Sequence, residues 1–291
     1  MRWTDGFIAV DWGSTNRRAY RLDPSGRCTD EFEDDRGVLS VRRDGFPDAV
    51  AEIRARLGDR PLLLAGMVGS NRGWIEAPYV PCPAGAEQLA GALEWVDDRT
   101  AIVPGVSDLA RADVMRGEEV QLIGGVANGS LASDALVCHP GTHNKWVEVE
   151  GGRIAGFRTV MTGELFNLLK EHSILADLLQ GEVAPNAAFL AGARHGLAED
   201  DLPAELFSVR ARVLLQKAQA ADAASYASGL LIGSDIRIGL EGAAPGNVVV
   251  MGRPDLTVLY AAALAETGAR AVELDGEQSF VFGIRKIAEM I

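Results

Sequence analysis

One pattern occurs twice in this chain, 128 residues apart, and it narrows the available folds more than any other feature. The first copy opens on Phe7-Ile8-Ala9-Val10, a short apolar run suited to a covered strand. Asp11 follows, then the polar loop Gly13-Ser14-Thr15-Asn16, then Arg17 and Arg18 and an alternating outgoing strand to Leu22. A turn at Asp23-Pro24-Ser25-Gly26 returns the chain as a third strand over Arg27 to Glu33. The second copy runs through Ala135-Leu136-Val137-Cys138, the loop His139 to Asn144, a strand from Lys145 to Val149, a Gly151-Gly152 turn and a strand from Arg153 to Val160. Placing Gly13 on Gly141 also places Asn16 on Asn144 and Arg17 on Lys145. A repeat on this scale predicts duplicated architecture. The expected division is two domains, residues 1–132 and 133–291, with the break just after Asn128-Gly129-Ser130.

Between and after these units, strands alternate with helices, which predicts α/β layers. Phe46, Val50, Ile53 and Leu57 fall at helical spacing over Asp44 to Leu57, with Asp44 as the expected cap. Pro61 to Ala65 is a strand that runs into the glycine-rich segment Gly66 to Gly73. In parallel α/β sheets ligands gather at that edge. The aromatic and proline-bearing stretch Trp74 to Pro81 reads as a long functional loop. Glu118 to Ala127 is a helix, long alanine-rich helices cover 204–239, and Asn247 to Met251 is a buried strand ending at Gly252.

The net charge of -13 argues against nucleic acid and anionic membranes as partners, so an anionic ligand needs a locally basic pocket. No window is apolar enough to span a bilayer, and residues 1–10 do not read as a signal peptide. Cys28, Cys82 and Cys138 are odd in number and widely spaced, which fits a reducing, cytoplasmic compartment.

No P-loop, dinucleotide fingerprint or nucleophile elbow occurs. In each loop, glycine permits close backbone approach, and hydroxyl and amide side chains offer hydrogen bonds to phosphate oxygens. Two such loops could clamp one polyanion. Cys138 and His139 sit next to each other in a strand and point to opposite faces, so with His143 they make a poor metal set. In Met115 to Leu122, adjacent carboxylates start a helix, where they either complement the dipole or supply a general base.

VDWGSTNRRAYRLD resembles the first phosphate motif of the actin, chaperone and sugar-kinase superfamily, with HPGTHNKW at the second phosphate motif and VVVMGRPDL at the adenosine motif. GMVGSNRGWIEAPYVPCPAG, MRGEEVQL, MTGELFNLLKEHSIL and GLLIGSDIR are similar to the 2-dehydro-3-deoxygalactonokinase family, in the expected order from about residue 7 to 285. The resemblance implies an α/β protein of two ribonuclease-H-like domains of the actin-like ATPase superfamily, with an interdomain cleft closing on ATP. It implies transfer of the γ-phosphate to the 6-hydroxyl of 2-dehydro-3-deoxy-D-galactonate. Asp11 is then expected to organise Mg²⁺ through water, with Gly13, Ser14, Thr15, Asn16, Gly141 and Thr142 on the phosphates, Arg17 and Lys145 near the γ-phosphate, and Gly252 under the base. Glu118 is the expected base, with Glu119 and Asp113 as alternatives. Arg72 is expected to pair the sugar carboxylate, Trp74, Glu76 and Tyr79 to line the sugar, and Glu164 to orient metal or sugar. His139 stands where many superfamily members carry an aspartate, and Gly252-Arg253 replaces a common double glycine. An exopolyphosphatase-like phosphohydrolase and a kinase for another 2-keto-3-deoxy sugar acid are the alternative functions; a homo-oligomer is left open.

Overall fold

The computed structural model describes residues 2–242 and 246–291. The chain divides into two compact units, one of residues 1–134, 148–157 and 275–291, the other of residues 135–147 and 158–274. A single cut near residue 132 therefore does not describe the division, because the chain returns to the first unit twice.

In the first unit the hairpin strands are β1 (Phe7–Trp12), β2 (Arg17–Leu22) and β3 (Cys28–Asp34), followed by α1 (Phe46–Leu57) and β4 (Leu62–Ala65). Next come β5 (Tyr79–Pro81), α2 (Ala86–Gly91), β6 (Glu94–Asp97), β7 (Thr100–Ile102), β8 (Gly105–Asp108), β9 (Asp113–Met115) and α3 (Glu118–Ala127). Six of these strands form one sheet in the order β3-β2-β1-β4-β7-β6. β1 pairs antiparallel with β2 and parallel with β4. Ile8, Val10 and Trp12 form one buried face with Phe46, Ile53, Leu62 and Leu64, as two-residue strand periodicity meeting a helical stripe requires. α1 starts at Phe46 behind Gly45 with no side-chain cap, so Asp44 does not cap it; Pro47 in the first turn sets the start instead.

The rest of the chain forms β10 (Ala135–His139), β11 (Asn144–Glu150), β12 (Arg153–Val160), α4 (Thr162–His172), α5 (Ala187–Ala198), α6 (Leu202–Leu214), α7 (Ala223–Gly239), β13 (Asn247–Met251), α8 (Pro254–Ala265), β14 (Arg270–Leu274) and α9 (Gly276–Ala288); all belong to the second unit except α9 and residues 148–157 of β11 and β12, which belong with the first. The sheet order is β12-β11-β10-β13-β14, with β13 parallel to both β10 and β14. This repeats the β3-β2-β1-β4-β7 order of the first sheet.

α5 and α7 pack almost backbone to backbone. A Cβ placed on Gly192, Gly196, Gly229 or Gly233 would lie 2.0–2.2 Å from a carbonyl oxygen of the facing helix. Such an approach is open only to residues without a side chain. Among the described residues no helix is long and apolar enough to cross a membrane.

A third, small sheet of β5-β8-β9 was not legible as strands in the sequence. Its outer members are three residues each; β5 pairs with a partner distant in sequence, and β9 closes a short hairpin with β8.

Candidate active site

The loop from Gly13 to Asn16 closes the β1–β2 hairpin. Gly13 N–H donates to Asn16 O at 3.0 Å, and the amides of Gly37, Val38 and Leu39 take the carbonyls of Thr15, Gly13 and Ser14 at 3.0–3.1 Å. All three loop carbonyls are thus turned into the protein, while the amides of Ser14 and Thr15 have no backbone partner among the described residues. A loop with its carbonyls occupied and two successive amides without a backbone partner suits an anion. Asn16 is exposed, with its amide donating to Glu33 at 3.3 Å.

Asp11, one residue before the end of β1, is half-buried. Burial pushes its carboxyl up to about 6; Arg18 opposes the rise, and Glu118 and Glu277 add to it. Asp11 and Glu118 are brought together by two glycines. Gly66, at the end of β4, has φ +89, and a Cβ there would lie 2.9 Å from Trp12 O and 3.3 Å from Asp11 Oδ1. Gly117 has φ +111, and its Cβ would meet Gly66 Cα at 3.4 Å. The turn that opens α3 thus lies directly against the strand end beside Asp11. Gly66→Ala should cost about 1–3 kcal/mol of stability, from strain and crowding together, and lower turnover by at least tenfold; equal melting curves and rates would refute this use of the glycine.

The helix start presents its two carboxylates differently. Glu118 is partly exposed, and its Oε2 accepts from Arg116 N–H at 3.1 Å. Glu119 is fully buried; its Oε2 accepts from Gly117 N–H at 2.6 Å and its Oε1 has no partner among the described residues. Burial, with Glu118 beside it, pushes Glu119 up to about 8. Asp113 lies on β9. Because Glu119 binds a proton more tightly folded than unfolded, its contribution to stability is complete below about pH 4.5 and is lost as pH rises through about 8, at up to ~1.4 kcal/mol per pH unit. Glu119→Gln, which mimics the protonated acid, should flatten the dependence of melting temperature on pH between about 5 and 8. An unchanged slope would show that Glu119 does not hold its proton there.

Arg17 does not face this site. In the hairpin register it pairs with Trp12, whereas Arg18 pairs with Asp11. Strand alternation therefore turns Arg17 into the core, where it is 1 % exposed and donates to both Asp34 carboxylate oxygens, at 3.1 and 2.7 Å, and to Ala49 O. Arg18 is the arginine on Asp11's face. In the loop that follows β4, Arg72 and Glu76 are exposed, and Arg72 has no ion-pair partner among the described residues. Trp74 is half-buried and stacked on Phe46, centroids 6.1 Å apart, against the first unit's core. Tyr79 is 40 % exposed beneath the guanidinium of Arg116.

In the second unit the equivalent loop is pinned by α4: Glu164 N–H donates to Thr142 O at 2.9 Å. A side chain at Gly163 would strike Gly141 O at 2.5 Å. Glu164 is bonded to His143, and Gly252 lies against Pro140. A cavity of about 290 Å³ opens beside this loop. Gly141, Thr142, Ser228, Ile232, Arg253 and Tyr260 are among its walls. Behind it, Asp235 of α7 is fully buried and accepts from Asn144 at 3.0 Å, Trp146 at 2.7 Å, Thr162 and Tyr260. Burial raises Asp235, and these four donors counter the rise. Asn144 and Trp146 face Asp235, so Lys145 projects from the opposite face of β11; it is 5 % exposed and has no ion-pair partner among the described residues. Asp235 escaped the sequence reading, although a lone carboxylate inside the apolar run GLLIGSDIR was a signal for it.

Mg²⁺ in kinases is held by one or two carboxylates together with substrate phosphates. Asp11, half-buried with Glu118 as an acidic neighbour, fits that requirement, and no group of three or more ligand side chains capable of holding a metal occurs among the described residues.

Residues 11–287 match the protein family described as 2-keto-3-deoxy-galactonokinase. The chain is 37 % identical to the 2-dehydro-3-deoxygalactonokinase of Escherichia coli (strain K12), with 99 % of each chain covered. A relative in Rhizobium meliloti (strain 1021) assigned the same activity is 35 % identical, over 98 % of this chain and 97 % of that one. A crystal structure of a protein from Sinorhizobium meliloti, also assigned as a 2-dehydro-3-deoxygalactonokinase, superimposes with a TM-score of 0.91 at 34 % identity, covering 97 % of this chain and 98 % of that one.

Proposed function

The chain belongs to the 2-keto-3-deoxy-galactonokinase family, with the α/β fold typical of the actin, chaperone and sugar-kinase superfamily, and from that premise we propose that it phosphorylates 2-dehydro-3-deoxy-D-galactonate on the 6-hydroxyl at the expense of ATP. The observation that carries the chemistry is that Asp11 and the Gly117 turn before Glu118 both meet Gly66, with Glu118 acting on the Asp11 carboxyl, beside a loop in which the Ser14 and Thr15 amides have no backbone partner among the described residues. The shared strand order of the two sheets supports reading each unit as a ribonuclease-H-like domain.

Phosphoryl transfer demands positioning and charge neutralisation more than covalent help. Glu118 accepts the proton of the 6-hydroxyl as its oxygen attacks the γ-phosphorus, and ADP departs with the electron pair of the broken bond. The amides of Ser14 and Thr15, with Gly13 and Asn16 in the same loop, take phosphate oxygens, and Gly141 and Thr142 are the phosphate-facing residues of the repeated loop. Arg18, rather than Arg17, supplies positive charge on the Asp11 side, and Lys145 is retained as a second cation. Asp11 would hold Mg²⁺, whose contribution is to neutralise phosphate charge. The 290 Å³ cavity takes the nucleoside, with Gly252 at its edge. Arg72 pairs the sugar carboxylate in fork geometry, Glu76 and Tyr79 offer hydroxyl contacts, and Trp74 supports the loop from beneath. Glu164 keeps an orienting role through His143.

The test is ADP release coupled to a readout across 2-keto-3-deoxy sugar acids and aldonates. Turnover with 2-dehydro-3-deoxy-galactonate above the others is expected; no ATP turnover with any of them would refute the kinase, and phosphate release without an acceptor would favour hydrolysis. Arg72→Ala should raise the sugar-acid KM about tenfold or more, the loss of one charge-assisted contact, and leave the ATP KM within about twofold. Equal changes in both would remove Arg72 from the sugar site.

A further inference from the structure

Arg116, just after β9, touches three functional segments at once, and its bonding pattern differs from that of Arg17, the other buried arginine among the described residues. Its backbone N–H donates to the Glu118 carboxylate at 3.1 Å. Its Nη2 donates to Ala77 O at 2.7 Å and Pro78 O at 3.4 Å, and its guanidinium lies over the Tyr79 ring at 4.3 Å. Its Nη1 occupies space left by Gly69, where a Cβ would lie 2.9 Å away. The residue is 9 % exposed.

Arg17, a structural arginine, commits all three guanidinium nitrogens to acceptors. Arg116 commits one; its Nε and Nη1 are buried and have no hydrogen-bond partner among the described residues. A buried donor left unsatisfied costs about 1–3 kcal/mol, so a guanidinium kept here at that cost is not explained by stability. What it achieves is geometric. The planar group bridges two successive carbonyls and stacks on the next side chain, while its own main chain holds the base carboxylate. The small β5-β8-β9 sheet joins the same two regions from the other side, since β5 begins at Tyr79 and β9 ends at Met115.

We propose that Arg116 is a positioning residue that locks the sugar-acid loop to the base turn, so that the 6-hydroxyl arrives in register with Glu118. The inference rests on the kinase reading above. A misplacement of about 1 Å between reacting groups can cost on the order of a hundredfold in rate. A lysine keeps the charge but can neither bridge two carbonyls in a plane nor stack as a flat group.

The experiment compares the unaltered protein, Arg116→Lys and Arg116→Ala in steady-state kinetics with each substrate varied, alongside melting curves. Arg116→Lys should raise the sugar-acid KM about tenfold and lower kcat about tenfold or more, with the ATP KM within about twofold; guanidinium ion at low millimolar concentration should restore part of the Arg116→Ala loss. An unchanged ratio of the two KM values, or equal rises in both, overturns the inference even if stability falls. Should Arg116→Ala fail to fold, Arg116→Lys carries the same test through the ratio of the two KM values. No turnover in the unaltered chain would sink the kinase reading and this inference with it, whereas turnover with an unmoved KM ratio sinks this inference alone.

Discussion

Glu118→Gln should lower kcat by about 10²–10⁴-fold, the usual contribution of a positioned general base, while ATP binding and the melting temperature stay close to those of the unaltered protein. The side chain is partly exposed and its one hydrogen bond comes from the Arg116 amide, which a glutamine carbonyl can still accept. Stability is therefore not at stake, and the loss isolates proton transfer. Glu119→Gln is the matched control: it alters a buried carboxyl that already holds its proton, with burial pushing it up to about 8, so turnover near neutral pH should fall far less. Near-normal turnover in Glu118→Gln with a collapse in Glu119→Gln would reverse the assignment. Asp113→Asn, on β9, should have the smallest effect of the three.

Asp235→Ala should destabilise the second unit by about 3–5 kcal/mol, the scale seen when one member of a buried charged network is removed. Four side chains from β11, α4 and α8 converge on this carboxylate, and each loses a strong acceptor when it goes. Two of them, Thr162 and Tyr260, also wall the 290 Å³ cavity, and Asn144 ends the second loop. The change should therefore lower the melting temperature by roughly 5–15 °C and weaken nucleotide binding, measured by calorimetry, more than sugar-acid binding. Asp235→Asn should fall between, since an amide offers one acceptor oxygen to donors that now find two. A melting temperature within a degree or two of the unaltered protein would mean that the network does not bear on stability.

Much of this was readable from the amino-acid order. β12, α3 and β13 occupy the expected residues because each is set by local periodicity and bounded by glycine or asparagine turns. The duplicated hairpins were readable because a repeat needs no knowledge of tertiary contacts. What escaped depends on the third dimension. Arg17 and Arg18 are adjacent, and only the pairing register with Trp12 and Asp11 decides which enters the core. Glu118 and Glu119 pose the same one-residue ambiguity, and which of the two is buried depends on how Gly117 turns the chain into α3. Arg116 and Gly66 have no local signature, since their meaning lies in what reaches them from more than thirty residues away.

The backbone-to-backbone seam between α5 and α7 bears on how such an enzyme could be evolved in the laboratory. α7 carries Asp235 and contributes Ser228, Leu231 and Ile232 to the cavity wall, while Gly229 and Gly233 on the same helix leave no freedom against α5. Libraries aimed at a new nucleotide preference should spare the seam and vary only the wall, because a methyl group on the seam would shift every wall position together. The helix is a ruler, and its graduations can be recut only on one edge.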